Sequence, residues 1–325
     1  MIRKQVIFQD KGSRILNPQN KIDSHNLPFT LNTSIGCHFG CQYCYIQGFP
    51  FNLQAVFGEE VKIKLYAPAK LDEELSKYSH LPQHLKRVQM NASTEGYLPA
   101  AMIRTKKQYG RDIMREVLEV FRRHWNNGNR WMVHLLTKSH MAIKHLDIIH
   151  NMRDQVQMEI TITTLDEGRK KLLEGLAPSV KKRLDMVRKF SEAGVFVRIM
   201  CMPLIGTRKE ALELRKICFD NGARAFKHKG VNYWDQDALL QGKTVKIKGR
   251  DDEVFEDMLV MSSEPIMVNG QPKTLTVPMP VIIKTGKKNT KRWQGYRTSD
   301  LVNMKMIAEN SGYSEVNGFD WGYVF

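Results

Sequence analysis

The sequence predicts an α/β fold: a partial (β/α)6, TIM-like barrel followed by a small β-rich C-terminal appendage. Three observations carry this. Strand-like runs alternate with helical patterns from residue 29 to about 234, which calls for parallel pairing with right-handed crossovers. Polar residues gather where several of those strands end, as in barrel enzymes. After about residue 235 the texture changes to short strand-like pieces broken by Pro272, Pro278 and Pro280, which confine such pieces to short or edge strands. The expected division is an irregular lead-in over 1–28, a barrel over 29–235 and an appendage over 236–325.

Taken in order, Asn17-Pro18 and Leu27-Pro28 break up the lead-in. Residues 28–34 read as a strand with Thr33 and Ser34 at its end, 61–65 alternate like a short strand, and 71–85 suit a helix. Residues 87–92 form a strand running into the polar loop Ser93-Thr94-Glu95-Gly96-Tyr97. The spacing of Ile113, Val117, Leu118, Val120 and Phe121 predicts one helix over 110–125. A strand over 131–136 ends in Thr137-Lys138-Ser139, a helix spans about 142–152, and a strand over 156–163 ends in Thr163-Thr164. A helix over 179–193 closes at Gly194, a C-cap signal. Then come a strand over 195–204, a helix over 209–219 and a strand over 224–233.

The chain carries 50 basic and 34 acidic residues, a net charge of +16. Such a surplus favours polyanions, because neutralising phosphates releases counterions whatever the base sequence. The densest run is Lys284 to Arg297, where Lys287, Lys288, Lys291 and Arg292 adjoin Trp293 without an acid between them. Cations interleaved with stacking aromatics suit a nucleic-acid surface, DNA or RNA; a solvated loop, or a face that holds an acidic protein, is the plainer alternative. No run of apolar residues reaches transmembrane length, and Met1–Val6 lacks the apolar stretch of a leader. An odd number of cysteines without a disulfide-like framework suits a reducing, cytoplasmic setting.

Three of the five cysteines, Cys37, Cys41 and Cys44, fall within eight residues as C-x3-C-x2-C. Thiolates at this spacing converge on a soft metal centre, zinc or iron–sulfur. Both ordinarily take four protein ligands, and the remaining cysteines, Cys201 and Cys218, lie more than 150 residues away. Three ligands therefore suggest a cluster with one iron open to an exogenous ligand. A zinc knuckle completed by His38, or three unrelated buried thiols, is the bland alternative.

With Tyr43 before the last cysteine, this motif resembles that of radical S-adenosylmethionine (radical SAM) enzymes, whose cores are partial barrels of this kind. Over about residues 15–235 the chain is similar to the spore photoproduct lyase-like branch, often labelled DNA repair photolyase-like. The similarity rests on Cys41–Tyr45, Ser93–Pro99, Leu136–Ser139, Ile160–Leu165 and Leu173–Ser179 with Arg183-Leu184.

The resemblance implies a [4Fe–4S] cluster held by Cys37, Cys41 and Cys44, with S-adenosylmethionine on the open iron. It also implies a 5′-deoxyadenosyl radical that takes a hydrogen atom from a nucleic-acid base or nucleotide, and an electron donor such as flavodoxin or ferredoxin. A protein or peptide side chain is the alternative substrate. The resemblance gives Tyr43, Ser93, Thr94, Glu95 and Lys138 as cofactor contacts. Thr161 and Thr163 share one face of a strand and could donate to the ribose or carboxylate. Arg198, set among apolar neighbours, needs an anion, for which the S-adenosylmethionine carboxylate or a substrate phosphate would serve. Tyr45 and Tyr97 are the candidate catalytic residues. Spore photoproduct lyase returns a hydrogen atom from a cysteine on the strand before the polar loop; here Val88 to Ala92 has no thiol.

Overall fold

The computed structural model describes residues 5–19, 27–48 and 58–247, together with the backbone of four strands beyond them. In chain order, β1 (Gln5–Gln9) and β2 (Leu16–Pro18) precede β3 (Phe29–Leu31) and β4 (Ser34–Ile35). The cysteine loop follows, then β5 (Glu60–Lys64), α1 (Ala67–Lys77) and β6 (Arg87–Met90). Two helices, α2 (Pro99–Tyr109) and α3 (Ile113–Asn126), lead to β7 (Met132–Thr137), α4 (Leu146–Asn151) and β8 (Val156–Ile160). Next come α5 (Glu167–Glu174), α6 (Val180–Glu192), β9 (Phe196–Cys201), α7 (Arg208–Asp220), β10 (Ala225–His228) and α8 (Gln236–Leu240). The last strands are β11 (Glu253–Val260), β12 (Pro265–Val268), β13 (Gln271–Thr274) and β14 (Met279–Gly286).

Strands β3, β6, β7, β8, β9 and β10 lie side by side, and each adjacent pair is parallel. These six are the partial barrel. Strands β7, β8 and β9 are buried almost throughout, because helices cover one face and the lumen the other. The sheet ends in antiparallel additions: β2 beside β3, and β11 with β14 beside β10. Two strands of the C-terminal segment thus extend the main sheet.

Several elements differ from the sequence expectation. The 61–65 strand is no barrel member: β5 pairs in parallel with β1 and antiparallel with β4 in a separate three-stranded sheet. The lead-in is ordered where it supplies β1 and β2. The helix expected over 110–125 is α3, begun at Ile113 by the Asp112 side chain, which accepts from Arg115 N; α2 before it has no counterpart in the sequence reading and is capped by Gly110 at φ +68. The helix expected over 71–85 is α1, which ends at Lys77. Helix α5 has no counterpart in the sequence reading; the Asp166 carboxylate caps it through the N–H groups of Gly168 and Arg169.

Candidate active site

The cysteine loop leaves β4 through Gly36 at φ +85, a position where a Cβ would lie 2.3 Å from the Glu60 carbonyl oxygen, so only glycine fits. Thr94 Oγ1 donates to the Gly36 carbonyl at 2.5 Å and shares a hydrogen bond with Ser34 Oγ at 2.8 Å. Buried His38 turns away from the cysteines: its Nε2 sits 3.0 Å from the Gln5 carbonyl oxygen and 3.1 Å from that of Glu59. On the other side, Gln42 N donates to Leu173 O at 2.8 Å and Leu176 N to Phe39 O at 3.0 Å. The loop is therefore gripped between the small sheet and the turn after α5.

That grip is reinforced by buried charge. The Tyr43 hydroxyl and Thr163 Oγ1 (3.0 Å) both donate to Glu174 Oε1, while Arg183 Nη2 pairs with Glu174 Oε2. Arg183 Nη1 also donates to the Thr161 carbonyl at 2.9 Å. Burial works against the Glu174 carboxylate, but Arg183 and Lys138 hold its pKa below the ordinary value.

A cavity of about 530 Å³ opens beside the loop at the C-terminal ends of the barrel strands. Cys37, Cys41 and Cys44 line it with Tyr43 and Tyr45. Ser93, Thr94, Glu95, Lys138 and Thr161 line it too, so ten of the predicted site residues share one space. The Glu95 carboxylate accepts from Thr137 Oγ1 (2.8 Å), Lys138 N (2.9 Å) and Tyr97 N (2.9 Å); burial still pushes it up. Lys138 Nζ lies 5.6 Å from the Tyr43 ring centroid. Burial opposes its charge, yet Cys41 and Glu174 hold its pKa above the usual value. The Tyr45 hydroxyl donates to Ala92 O at 2.9 Å.

Three predicted residues lie away from this space. Tyr97 is fully buried and its hydroxyl meets His145 Nδ1 at 3.3 Å, on the side where His145 Nε2 pairs with Asp112 at 2.9 Å. Thr163 is engaged with Glu174. Arg198 finds its anion inside the chain: Glu159, its register partner on β8, accepts from Nη1 at 2.9 Å. Sequence reasoning could not see that neighbour, because the pair forms only when two parallel strands align. Lys287, Lys288, Lys291, Arg292 and Trp293 lie outside the described residues.

The cavity also has walls outside the predicted cofactor and metal set: Gln89 from β6, Met200 from β9, Met202 just after it, and Lys227, Lys229 and Tyr233 from β10 and its following turn. Glu159, Glu174 and Arg183 support it from behind. The period-two pattern was the available signal for Gln89, which follows Arg87 on one strand face.

The three thiols suit an iron–sulfur cluster. Burial pushes Cys41 up to about 12 and also raises Cys37 and Cys44, so each must shed its proton on binding metal. Yet among the described residues no three His, Cys, Asp or Glu groups gather closely enough around one ion. A cluster needs no such convergence, since each thiolate takes a different iron. A single zinc with His38 as fourth ligand does not fit, since His38 points at the two carbonyls.

Comparison with known proteins agrees. The model of the radical SAM superfamily matches residues 31–216, more than half of the chain. An uncharacterized protein, ORF301 of Acidianus two-tailed virus, is 28% identical over 189 residues, 56% of this chain and 57% of that one. The uncharacterized protein MJ0683 of Methanocaldococcus jannaschii is 24% identical over 206 residues, 63% of this chain and 70% of that one. This chain thus spans just over half the length of the first relative. Among solved structures, a spore photoproduct lyase variant with bound AdoMet and dinucleoside spore photoproduct superposes with a TM-score of 0.52 at 14% identity, covering 66% of this chain and 57% of that one. Another variant of that enzyme gives 0.52 at 11% identity over 94% of this chain and 79% of its own. At these identities the likeness establishes the fold. With the family model spanning the cysteine loop and the barrel, the chain belongs to the radical SAM superfamily and is an enzyme that works with a [4Fe–4S] cluster and S-adenosylmethionine.

Proposed function

We propose that this enzyme acts on a nucleic-acid base or nucleotide, for repair or modification. The observation that carries the reading is the cavity beside the cysteine loop, whose walls include Lys227, Lys229, Tyr233 and Tyr45. Cations and aromatic faces suit a base and its phosphate. A net charge of +16 adds sequence-independent attraction to a polyanion, and the dinucleoside bound by spore photoproduct lyase is a ligand of the same class. The bound cluster and S-adenosylmethionine supply the means of abstracting a hydrogen atom.

The chain's own residues do the rest. Cys37, Cys41 and Cys44 would hold the cluster, while Ser93, Glu95, Lys138 and Thr161 line the space for S-adenosylmethionine. Thr94 anchors Gly36 at the start of the loop. Tyr45, at the cavity wall against Ala92, is the proposed hydrogen-atom relay, since the neighbouring strand has no thiol. A base inside this cavity must be single-stranded or turned out of a duplex. The deciding experiment incubates reduced, reconstituted enzyme and S-adenosylmethionine with deuterated single-stranded DNA or RNA. Deuterium should appear in 5′-deoxyadenosine. Its absence with nucleic acids, together with transfer from a labelled peptide, would replace this reading by the peptide one.

A further inference from the structure

We propose that Gln89 is a substrate-recognition residue that accepts an N–H from the target base, so that a base whose donor is blocked binds poorly. This rests on the nucleic-acid reading above. Gln89 lies on β6 and lines the cavity. Its Nε2 donates to Glu159 Oε2 at 2.7 Å and to the His134 carbonyl oxygen at 3.3 Å. A primary amide has two N–H donors, and both are taken. Turning the amide over would set its carbonyl against a carboxylate, so the network fixes one orientation.

Glu159 cannot move aside to relax that orientation. Its Oε1 accepts from Arg198 Nη1 at 2.9 Å, His134 Nδ1 at 3.3 Å and Gln157 Nε2 at 3.4 Å, and all four residues are buried. Four neighbouring barrel strands thus converge on one carboxylate. Gln89 is left with one function to offer, its Oε1 acceptor, which receives no hydrogen bond from any of the described residues.

An acceptor fixed in a cavity wall selects for a donor. A ligand that presents an acceptor there leaves two desolvated lone pairs facing each other. Lys227 lines the same cavity, and its charge acts on the same Glu159. The ring N–H of thymine, uracil or guanine and the exocyclic amine of cytosine or adenine can each supply the donor that Gln89 accepts.

The test measures binding by the holoenzyme with S-adenosylmethionine and no reductant, so that nothing turns over. Short single-stranded oligonucleotides carry thymine or N3-methylthymine, and anisotropy gives each Kd. The native enzyme should bind thymine roughly 10- to 100-fold more tightly than N3-methylthymine. Gln89→Met, of similar volume but without the acceptor, should bind both within about threefold. Equal affinities in the native enzyme would overturn the proposal without any variant, as would a thymine preference that Gln89→Met retains. Binding of neither oligonucleotide would instead remove the nucleic-acid reading itself, and this proposal with it.

Discussion

The Tyr43 hydroxyl donates a hydrogen bond to Glu174, 131 residues along the chain, and so ties the loop of the three cysteines to the end of α5. Tyr43 is thereby a strut under the loop as well as a cavity wall. Tyr43→Phe leaves the buried carboxylate with one donor fewer. The expected cost is about 1–3 kcal/mol in urea unfolding, with faster loss of iron from the reconstituted protein on exposure to air.

Gly175 follows Glu174 at φ +47, and a Cβ there would lie 2.6 Å from the Phe39 carbonyl oxygen. Backbone would meet side chain with nothing flexible between them. Gly175→Ala should therefore push the turn off the cysteine loop, at a cost of about 1–3 kcal/mol. Iron bound per chain after anaerobic reconstitution should fall with it, while a substitution at open Gly110 should leave iron content unchanged.

Glu159 gives a pH signature. Burial would raise its pKa, but the hydrogen bond from His134 and the charges of Arg198 and Lys227 hold the carboxyl far below the ordinary range. The unfolded chain, with a carboxyl pKa of about 4.3, therefore takes up the proton first. The stabilisation is complete above that value and is lost as the pH falls toward the folded-state value. Glu159→Gln should lower stability at neutral pH by about 3–5 kcal/mol, because buried Arg198 loses its anion. It should also flatten the decline in melting temperature below about pH 4.

Tyr45→Phe removes one hydroxyl from the cavity and its bond to Ala92. Iron content and S-adenosylmethionine affinity should stay near those of the native enzyme. If Tyr45 relays a hydrogen atom, 5′-deoxyadenosine should still form while repaired or modified product falls at least about tenfold, a rate difference of some 1.4 kcal/mol. Equal product yields would end that assignment.

What the sequence discloses depends on how local the cause is. Cys37, Cys41 and Cys44 are neighbours in the chain, so their spacing declares their chemistry before any folding. The alternation of strands and helices is equally local, and the six parallel strands follow from it. Glu159 and Arg198 meet only when β8 and β9 align, so Arg198 reads as a cation in search of an outside anion. Tyr97 follows Glu95 in the polar loop, yet its hydroxyl goes to His145, a partner 48 positions distant. The strand at 60–64 alternates like a barrel strand; only its pairing with β1, from a lead-in expected to be irregular, assigns it to another sheet.

The loop between the small sheet and the α5 turn is braced on both flanks by contacts that involve no cysteine side chain. Its shape is accordingly a property of the polypeptide, set before any metal arrives. Iron and sulfide would enter a mould already cast, and an enzyme stripped of them by oxygen would keep a vessel ready to be refilled.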